Sequence, residues 1–154
     1  DPDLIERLAE VKNFVAVKDS SGNMGQMIEV MRRCKGRVEQ VVGNDALVLP
    51  GLFMGAFGWT SGTANVFPFL GAALYENFKQ GNYDQAREIA YKLAEFSSLY
   101  RLADVVAVTK AAINALGRSF GSPRLPVTGL TGDAYKTVET TAKRIRAYEK
   151  EIAE

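Results

Sequence analysis

The sequence predicts an α/β fold built from βα units around a parallel sheet. Over the first 80 residues, short apolar segments rich in β-branched residues alternate with segments of helical length and periodicity. Each apolar segment ends in a polar turn that contains glycine, at residues 18–22, 43–45 and 60–63. Such alternation is typical of parallel sheets with right-handed crossovers. In α/β proteins, ligands bind at the carboxyl ends of the strands.

The first half of the chain is predicted to contain three strands. Asp1-Pro2 begins a helix, because proline suits the first helical position. Strands follow at 13–17, 38–42 and 56–60, separated by helices at 25–35 and 46–54. Gly36 ends the first of these helices, and Pro50 limits or bends the second.

The second half is predicted to be helical. The periodicity predicts helices at 67–79, ending at Gly81, at 83–100, and at 104–116, ending at Gly117. A connector rich in proline and glycine, residues 118–132, precedes a final charged helix that runs to about residue 152. We therefore predict two domains, with the βα units in residues 1–80 and a helical extension in residues 81–154.

Composition excludes several classes of function. The 154 residues are 47% hydrophobic and 24% charged, which is ordinary for a globular protein. A net charge of +1 offers no electrostatic footprint for nucleic acid. The absence of histidine removes histidine-containing triads and the commonest metal ligand.

The single cysteine is predicted to fill the core. Cys34 shares a helical apolar face with Met27, Val30 and Met31, and one cysteine forms neither an internal disulfide nor a thiolate metal cluster. We recognise no signal peptide and no apolar stretch long enough to span a membrane. A soluble, cytoplasmic protein is the expectation.

Lys18 is the candidate nucleophile. It ends the apolar segment 14–17, which is predicted to be a strand buried on both faces, so its amine lies at the edge of an apolar sheet. Burial disfavours the ammonium form of an amine, and a neutral amine attacks carbonyl groups. The alternative is an ordinary lysine that extends from a strand end into solvent.

The turn after Lys18 has two interpretations. Alternation along a strand sends Asp19 to the opposite side from Lys18, so we expect Asp19 to cap the next helix. Ser20, Ser21 and Gly22 supply hydroxyl and N–H groups near a helix N-terminus, which suits an anion such as a carboxylate. Plain turn and capping chemistry is the alternative.

The other two strand exits are candidates for the same site. Gly43 is followed by Asp45, which we expect to be the N-cap of the next helix. Small residues at 58–65 let a ligand approach the backbone, with Thr60 among the possible donors. Trp59 is predicted to face the helix layer and to be structural.

Three strands make a poor independent sheet, because both outer strands present unpaired edges. An eight-stranded barrel needs about 250 residues. The chain is therefore either a small open α/β domain or part of a barrel.

Three segments resemble one family in their order and spacing: VAVKDSSGN, VVGNDALVLPGLFMGAFGWTSGTANVFP and GSPRLPVTGLTG. They are similar to the C-terminal part of the dihydrodipicolinate synthase/N-acetylneuraminate lyase superfamily, over essentially the whole chain. The resemblance implies an α/β fold that is the C-terminal part of a (β/α)8 TIM barrel, strands six to eight, followed by extra C-terminal helices. It also implies a homo-oligomer, commonly a tetramer.

The resemblance assigns roles to individual residues. Lys18 matches the lysine that forms an imine with pyruvate or a related 2-oxo acid. Gly43 and Thr60 match pocket positions at the exits of strands seven and eight, with the backbone of Thr60 against the bound acid. Asn65 matches a structural asparagine near the mouth of the barrel. The implied chemistry needs no metal or organic cofactor.

Two departures from the family pattern affect the predicted function. The chain lacks strands one to five and, with them, the family's carboxylate-binding threonines and tyrosine proton relay, so it is expected to be inactive without a missing N-terminal half-barrel. The exit sequence Thr60-Ser61-Gly62 also differs from the Ile-Ser-Val of typical dihydrodipicolinate synthases.

The resemblance implies a lyase or aldolase that makes or breaks C–C bonds. Three alternative functions remain open. One is a family dehydratase or deaminase that acts on a 2-oxo sugar acid or a hydroxyproline-type substrate. Another is a half-barrel without catalytic activity. The third is a phosphate-binding α/β domain. The lack of a long glycine-rich loop argues against this interpretation.

Overall fold

The computed structural model describes residues 1–153 and contains, among them, one sheet of three parallel strands. The strands are β1 (Ala16–Asp19), β2 (Glu39–Val42) and β3 (Gly58–Trp59), and they lie in the sheet in that order. The register pairs Lys18 with Val41, and Val41 with Gly58. The predicted parallel sheet is confirmed.

Helices precede, connect and follow the strands. They are α1 (Pro2–Leu8), α2 (Met24–Arg33), α3 (Val48–Phe53), α4 (Pro68–Lys79), α5 (Tyr83–Ser97), α6 (Val105–Ala115) and α7 (Gly132–Glu151). Short 3-10 turns occupy Asp45–Leu47, Thr63–Asn65 and Ser98–Arg101. None of the helices in the described part of the chain combines the length and the apolar character needed to cross a bilayer.

Helix starts and ends follow local chemistry closely. The Asp1 carboxylate accepts a hydrogen bond from the Asp3 N–H at 2.9 Å, with Pro2 in the first helical position, as predicted. Gly36 (φ +77°) follows α2, and Gly81 (φ +80°) follows α4. Glycine adopts this backbone conformation without strain, and Gly81 directly follows the C-cap of α4, which therefore ends where it was predicted to end. Helix α2 ends earlier than predicted, at Arg33, and Gly36 lies in the turn that follows it.

Two strands differ from the predicted ranges. Residues 10–14 form hydrogen-bonded turns, so β1 begins at Ala16 and not at residue 13. It extends to Asp19, whose carbonyl accepts a hydrogen bond from the Gly43 N–H at 2.7 Å. Regular pairing in β3 is limited to Gly58–Trp59, but hydrogen bonds to β2 continue from residue 57 to residue 60.

Two predicted helices are interrupted. The predicted helix 46–54 is a 3-10 turn followed by α3, with Pro50 in the first turn of α3, where its missing N–H costs no hydrogen bond. The predicted helix 83–100 ends as an α-helix at Ser97 and continues as a 3-10 turn.

The chain divides into two compact units, of which the first is Asp1–Ser61 and the second begins at Gly62. The predicted division after residue 80 differs from this boundary. Leu70 and Leu74 of α4 are fully buried and α4 packs along α5, so α4 lies with the C-terminal helices and not with the strands.

Burial differs sharply between the two faces of the sheet. Gln40 and Val42 lie on the face that packs against helices and are buried. Ala16, Lys18 and Glu39 lie on the opposite face and are exposed. The prediction that β1 is buried on both faces is therefore wrong, because nothing among residues 1–61 covers this second face. We refer to it as the open face.

Each unit has its own core. In the first, Met27, Val42 and Ala56 form a buried cluster against which Trp59 packs. Cys34 is also fully buried, as predicted. In the second, the ring of Phe67 meets that of Phe96 edge to face at 5.2 Å. The fully buried side chains of α4 to α7 also include Leu70, Leu74, Ile89, Leu93, Val108, Val138 and Ile145.

Candidate active site at the carboxyl ends of the strands

Lys18 lies next to the end of β1, on the open face of the sheet. Its pairing partner is Val41 of β2, and Val41 pairs in turn with Gly58 of β3. Paired residues on neighbouring parallel strands point to the same side of a sheet. The Lys18 side chain therefore lies on the same face as the half-buried residues Val41 and Gly58, and the side chain itself is exposed.

Gly43 lies in direct contact with the Lys18 side chain. A methyl group on the Gly43 Cα would lie 2.8 Å from Lys18 Cε, 2.8 Å from the Asp19 carbonyl oxygen and 2.1 Å from Ser20 Oγ. These distances are far below ordinary van der Waals contact. Because Gly43 has no side chain, the Lys18 methylene chain packs directly against the backbone of the neighbouring strand exit.

Thr60 continues this row at the third strand exit. Its N–H donates a hydrogen bond to the carbonyl of Val42 at 2.9 Å, which fixes the backbone of Thr60 beside that of Gly43. Neighbouring strands are about 4.8 Å apart, so the backbones of β1 and β3 are roughly 10 Å apart. The structure thus brings the three predicted site residues, Lys18, Gly43 and Thr60, to one edge of the sheet.

The turn after Lys18 is held by its own polar groups. The Ser21 N–H donates to Asp19 Oδ1 at 2.7 Å, and the Asn23 N–H donates to Ser21 Oγ at 3.1 Å. Asn23, and not Asp19 as predicted, is the N-cap of α2, because its side chain accepts from the Gln26 N–H. The turn interpretation of this segment therefore accounts for both polar groups of Ser21, one of the residues that suit an anion site.

Asp19 supports this turn from the side away from Lys18. Its Oδ2 accepts a hydrogen bond from Gln26 Nε2 at 3.4 Å. Partial burial raises the pKa of the Asp19 carboxyl, but the hydrogen bonds from Ser21 and Gln26 outweigh burial and hold that pKa below its usual value. The carboxylate thus stays ionised and fixes the strand exit without contacting the amine.

Asp45 has a different role from the one predicted. The N-cap of the 3-10 turn is Asn44, whose side chain accepts from the Ala46 N–H at 3.0 Å. Asp45 is buried, 6% exposed, and its carboxylate accepts a hydrogen bond from the Ser61 hydroxyl. This bond ties the exit of β2 to the exit of β3, and it joins residues too distant in sequence for local patterns to predict.

The two residues predicted to be structural behave in that way. Trp59 packs against the helix-side core of the first unit, as alternation along β3 predicts. Asn65 lies in the second unit, where its side-chain amide donates to the Gly62 carbonyl at 3.1 Å. No group of three or more histidine, cysteine, aspartate or glutamate side chains within residues 1–153 is arranged to hold a metal ion.

Comparison with known proteins gives a consistent result. The family model described as the dihydrodipicolinate synthetase family matches residues 1–145. The 4-hydroxy-tetrahydrodipicolinate synthase of Archaeoglobus fulgidus is 33% identical over 144 residues, which cover 94% of this chain and 50% of that protein. The protein of the same name from Methanospirillum hungatei is 36% identical over 128 residues, 82% of this chain and 44% of that protein.

Solved structures show the same relationship. A dihydrodipicolinate synthase from Bacillus anthracis superposes with a TM-score of 0.88 at 26% identity, over 93% of this chain and 49% of that one. The dihydrodipicolinate synthase from Aquifex aeolicus gives 0.87 at 28% identity, over 95% and 50%. This chain thus spans about half the length of the curated relatives it matches.

Proposed function

We propose, given that this chain belongs to the dihydrodipicolinate synthetase family, that it carries the nucleophile of a lysine Schiff-base lyase. The substrate class is pyruvate or a related 2-oxo acid, and the reaction is formation or cleavage of a C–C bond. The observation that carries the proposal is the contact between the Lys18 side chain and Gly43 at adjacent strand exits.

Imine formation assigns a role to each of the three site residues. Lys18 Nζ attacks the carbonyl carbon of the 2-oxo acid, the carbonyl oxygen leaves as water, and a C=N bond forms. The protonated imine then accepts the electron pair that is released when a proton or a carbon substituent leaves C3. Gly43 leaves room beside Lys18 Cε, and the backbone of Thr60 is proposed to lie against the bound acid.

We further propose that the three strands are strands six to eight of a (β/α)8 barrel and that an N-terminal half-barrel covers them. Three observations support this. The open face is exposed, β1 and β3 have no further strand beside them within residues 1–153, and the relatives are about twice as long. The covering half would bury Lys18 and supply the carboxylate-binding and proton-transfer groups. The assembled protein is proposed to be a homo-oligomer.

Two other functions each have one supporting observation. The Thr60-Ser61-Gly62 exit favours a dehydratase or deaminase of the same family, which would use the same imine for elimination at C3. The exposure of Lys18 favours a half-barrel without catalytic activity. Adduct formation at Lys18 distinguishes these two functions. The dehydratase or deaminase requires it, and the half-barrel without catalytic activity excludes it.

Borohydride trapping tests the proposal. The chain is incubated with pyruvate and sodium borohydride, and the intact mass and the modified peptide are measured. The expected adduct adds about 72 Da, which is pyruvate less water plus two hydrogen atoms, and it maps to Lys18. Lys18→Met abolishes the adduct, whereas Lys12→Met, which removes another exposed lysine before β1, leaves it unchanged.

A second arm tests the missing half. The N-terminal half of the Archaeoglobus fulgidus relative is supplied as a separate chain. An adduct that forms only in its presence supports an intact nucleophile in an incomplete site. If Lys18 is not modified with or without that half, the Schiff-base assignment is wrong.

A further inference from the structure

Two side chains of α7 bind the backbone that follows the third strand. Glu149 Oε1 accepts a hydrogen bond from the Leu70 N–H at 3.2 Å. Arg146 donates through one terminal nitrogen to Glu149 and through the other to the Val66 carbonyl at 2.6 Å. The same guanidinium lies over the ring of Phe67, 5.6 Å from its centroid. We call Arg146 and Glu149 the α7 clamp.

Glu149 caps the N-terminus of α4, which the side chain of the helix's own N-cap residue does not do. Phe67, the N-cap residue of α4, makes no side-chain capping bond, and Leu70 lies in the first turn, where N–H groups have no partner within the helix. A carboxylate at this end also interacts favourably with the helix dipole. Because the Glu149 side chain is only 4% exposed, its charge would be costly to bury without these partners.

Arg146 completes the clamp by a geometry that lysine cannot reproduce. Its planar group presents several N–H donors at fixed angles, so one side chain contacts a carboxylate, a carbonyl and an aromatic face together. The carbonyl belongs to Val66, just after the 3-10 turn Thr63–Asn65. The backbone from Val66 to Leu70 is thus held at both ends by α7.

We propose that the α7 clamp is a positioning device for the exit of the third strand. The clamped backbone begins six residues after Thr60, and the intervening segment is the exit itself. Fixing residues 66–70 restricts the conformations open to residues 62–65 of the same unit, which follow the exit residue Thr60 in the chain. This inference rests on the proposed function of Thr60. The protection that the clamp gives to residues 62–70 can be measured independently of that function.

The same helix offers matched controls. Lys143 pairs with Glu139 one turn away on the exposed surface of α7. Arg144 pairs with Glu95 of α5, so it also joins α7 to another helix, but it makes neither of the two clamp bonds. Lys143→Gln and Arg144→Gln therefore remove one positive charge each without touching the clamp.

Hydrogen exchange measured by mass spectrometry is the primary test. In Arg146→Gln, amide exchange of residues 62–70 is expected to rise roughly tenfold or more, as for the loss of hydrogen bonds to a charged group. Arg146→Lys is expected to restore only part of the protection. Lys143→Gln and Arg144→Gln should leave residues 62–70 unchanged. A rise confined to α7, or an equal rise in Arg144→Gln, would overturn the proposal.

Borohydride trapping adds a readout that a purely structural role would not change. The pyruvate concentration for half-maximal trapping at Lys18 is expected to rise several-fold in Arg146→Gln and to stay constant in Arg144→Gln, at temperatures where both are folded. Equal values in the two variants would contradict the positioning role. If the wild-type chain forms no adduct with or without the N-terminal half, the proposed function fails. Hydrogen exchange alone then tests the clamp.

Discussion

Replacing Gly43 by alanine tests the contact on which the proposed site depends. The added methyl group would lie 2.8 Å from the Asp19 carbonyl oxygen and 2.8 Å from Lys18 Cε. The Asp19 oxygen cannot withdraw freely, because it accepts the hydrogen bond from the Gly43 N–H itself. The φ angle of Gly43 is not in the left-handed region, so the conflict is purely one of space.

The expected loss of stability in Gly43→Ala follows from the atoms that must move. Overpacking a well-packed site costs about 1–3 kcal/mol, and contact with a backbone atom places this change near the upper value. A loss of about 3 kcal/mol lowers the melting temperature by roughly 6–12 °C for a chain of this size. Since the Lys18 side chain is displaced as well, trapping by borohydride is expected to slow by roughly 10- to 100-fold.

Gly58→Ala is the matched control for this change. Gly58 lies in the same sheet, on the open face, and an added methyl group would meet no atom within 4 Å. Replacing a strand glycine in free space is expected to be neutral or to stabilise by roughly 0.5–1 kcal/mol. Calorimetry of both variants measures the change in melting temperature. Equal stability and equal trapping rates in the two variants would refute the steric reasoning.

Two further predictions concern the helix α2. Hydrogen bonds from Arg32, which have the larger effect, and from Arg33 lower the pKa of the Glu29 carboxyl from 4.5 to about 2. These pairs therefore stabilise the fold above pH 4.5, and this stabilisation is lost as the pH falls towards 2. An NMR titration should show this midpoint, and Arg32→Gln should raise it; a native midpoint near 4.5 would contradict the pairing. Cys34 is fully buried, so a thiol reagent should label it only when the first unit opens. Rapid labelling of the native chain would show that this part of the core is accessible.

Much of the site was predictable from local patterns. The apolar segment before Lys18 and the glycine after the second strand placed Lys18 and Gly43 at strand exits, and parallel pairing brings such exits to one edge. Alternation along β3 also predicted correctly that Trp59 faces the helices. These inferences succeed because the periods of strands and helices are properties of the backbone.

The choice among neighbouring polar residues was not predictable. Asn23 and Asn44 cap the elements for which Asp19 and Asp45 were proposed. All four side chains can accept a hydrogen bond from a backbone N–H, so the final geometry of the turn decides which one does so. The bond between Asp45 and Ser61 likewise depends on two strand exits that meet only in the folded sheet.

The sequence by itself determined the order of the elements, the parallel sheet and the position of Lys18 at a strand end, because each depends on residues within a few turns of one another. Only the tertiary structure decided that one face of the sheet is open and that Arg146 and Glu149 hold the backbone at Val66 and Leu70, some 80 residues earlier. Burial and long-range hydrogen bonds depend on which surfaces meet, and that information is carried by the whole fold.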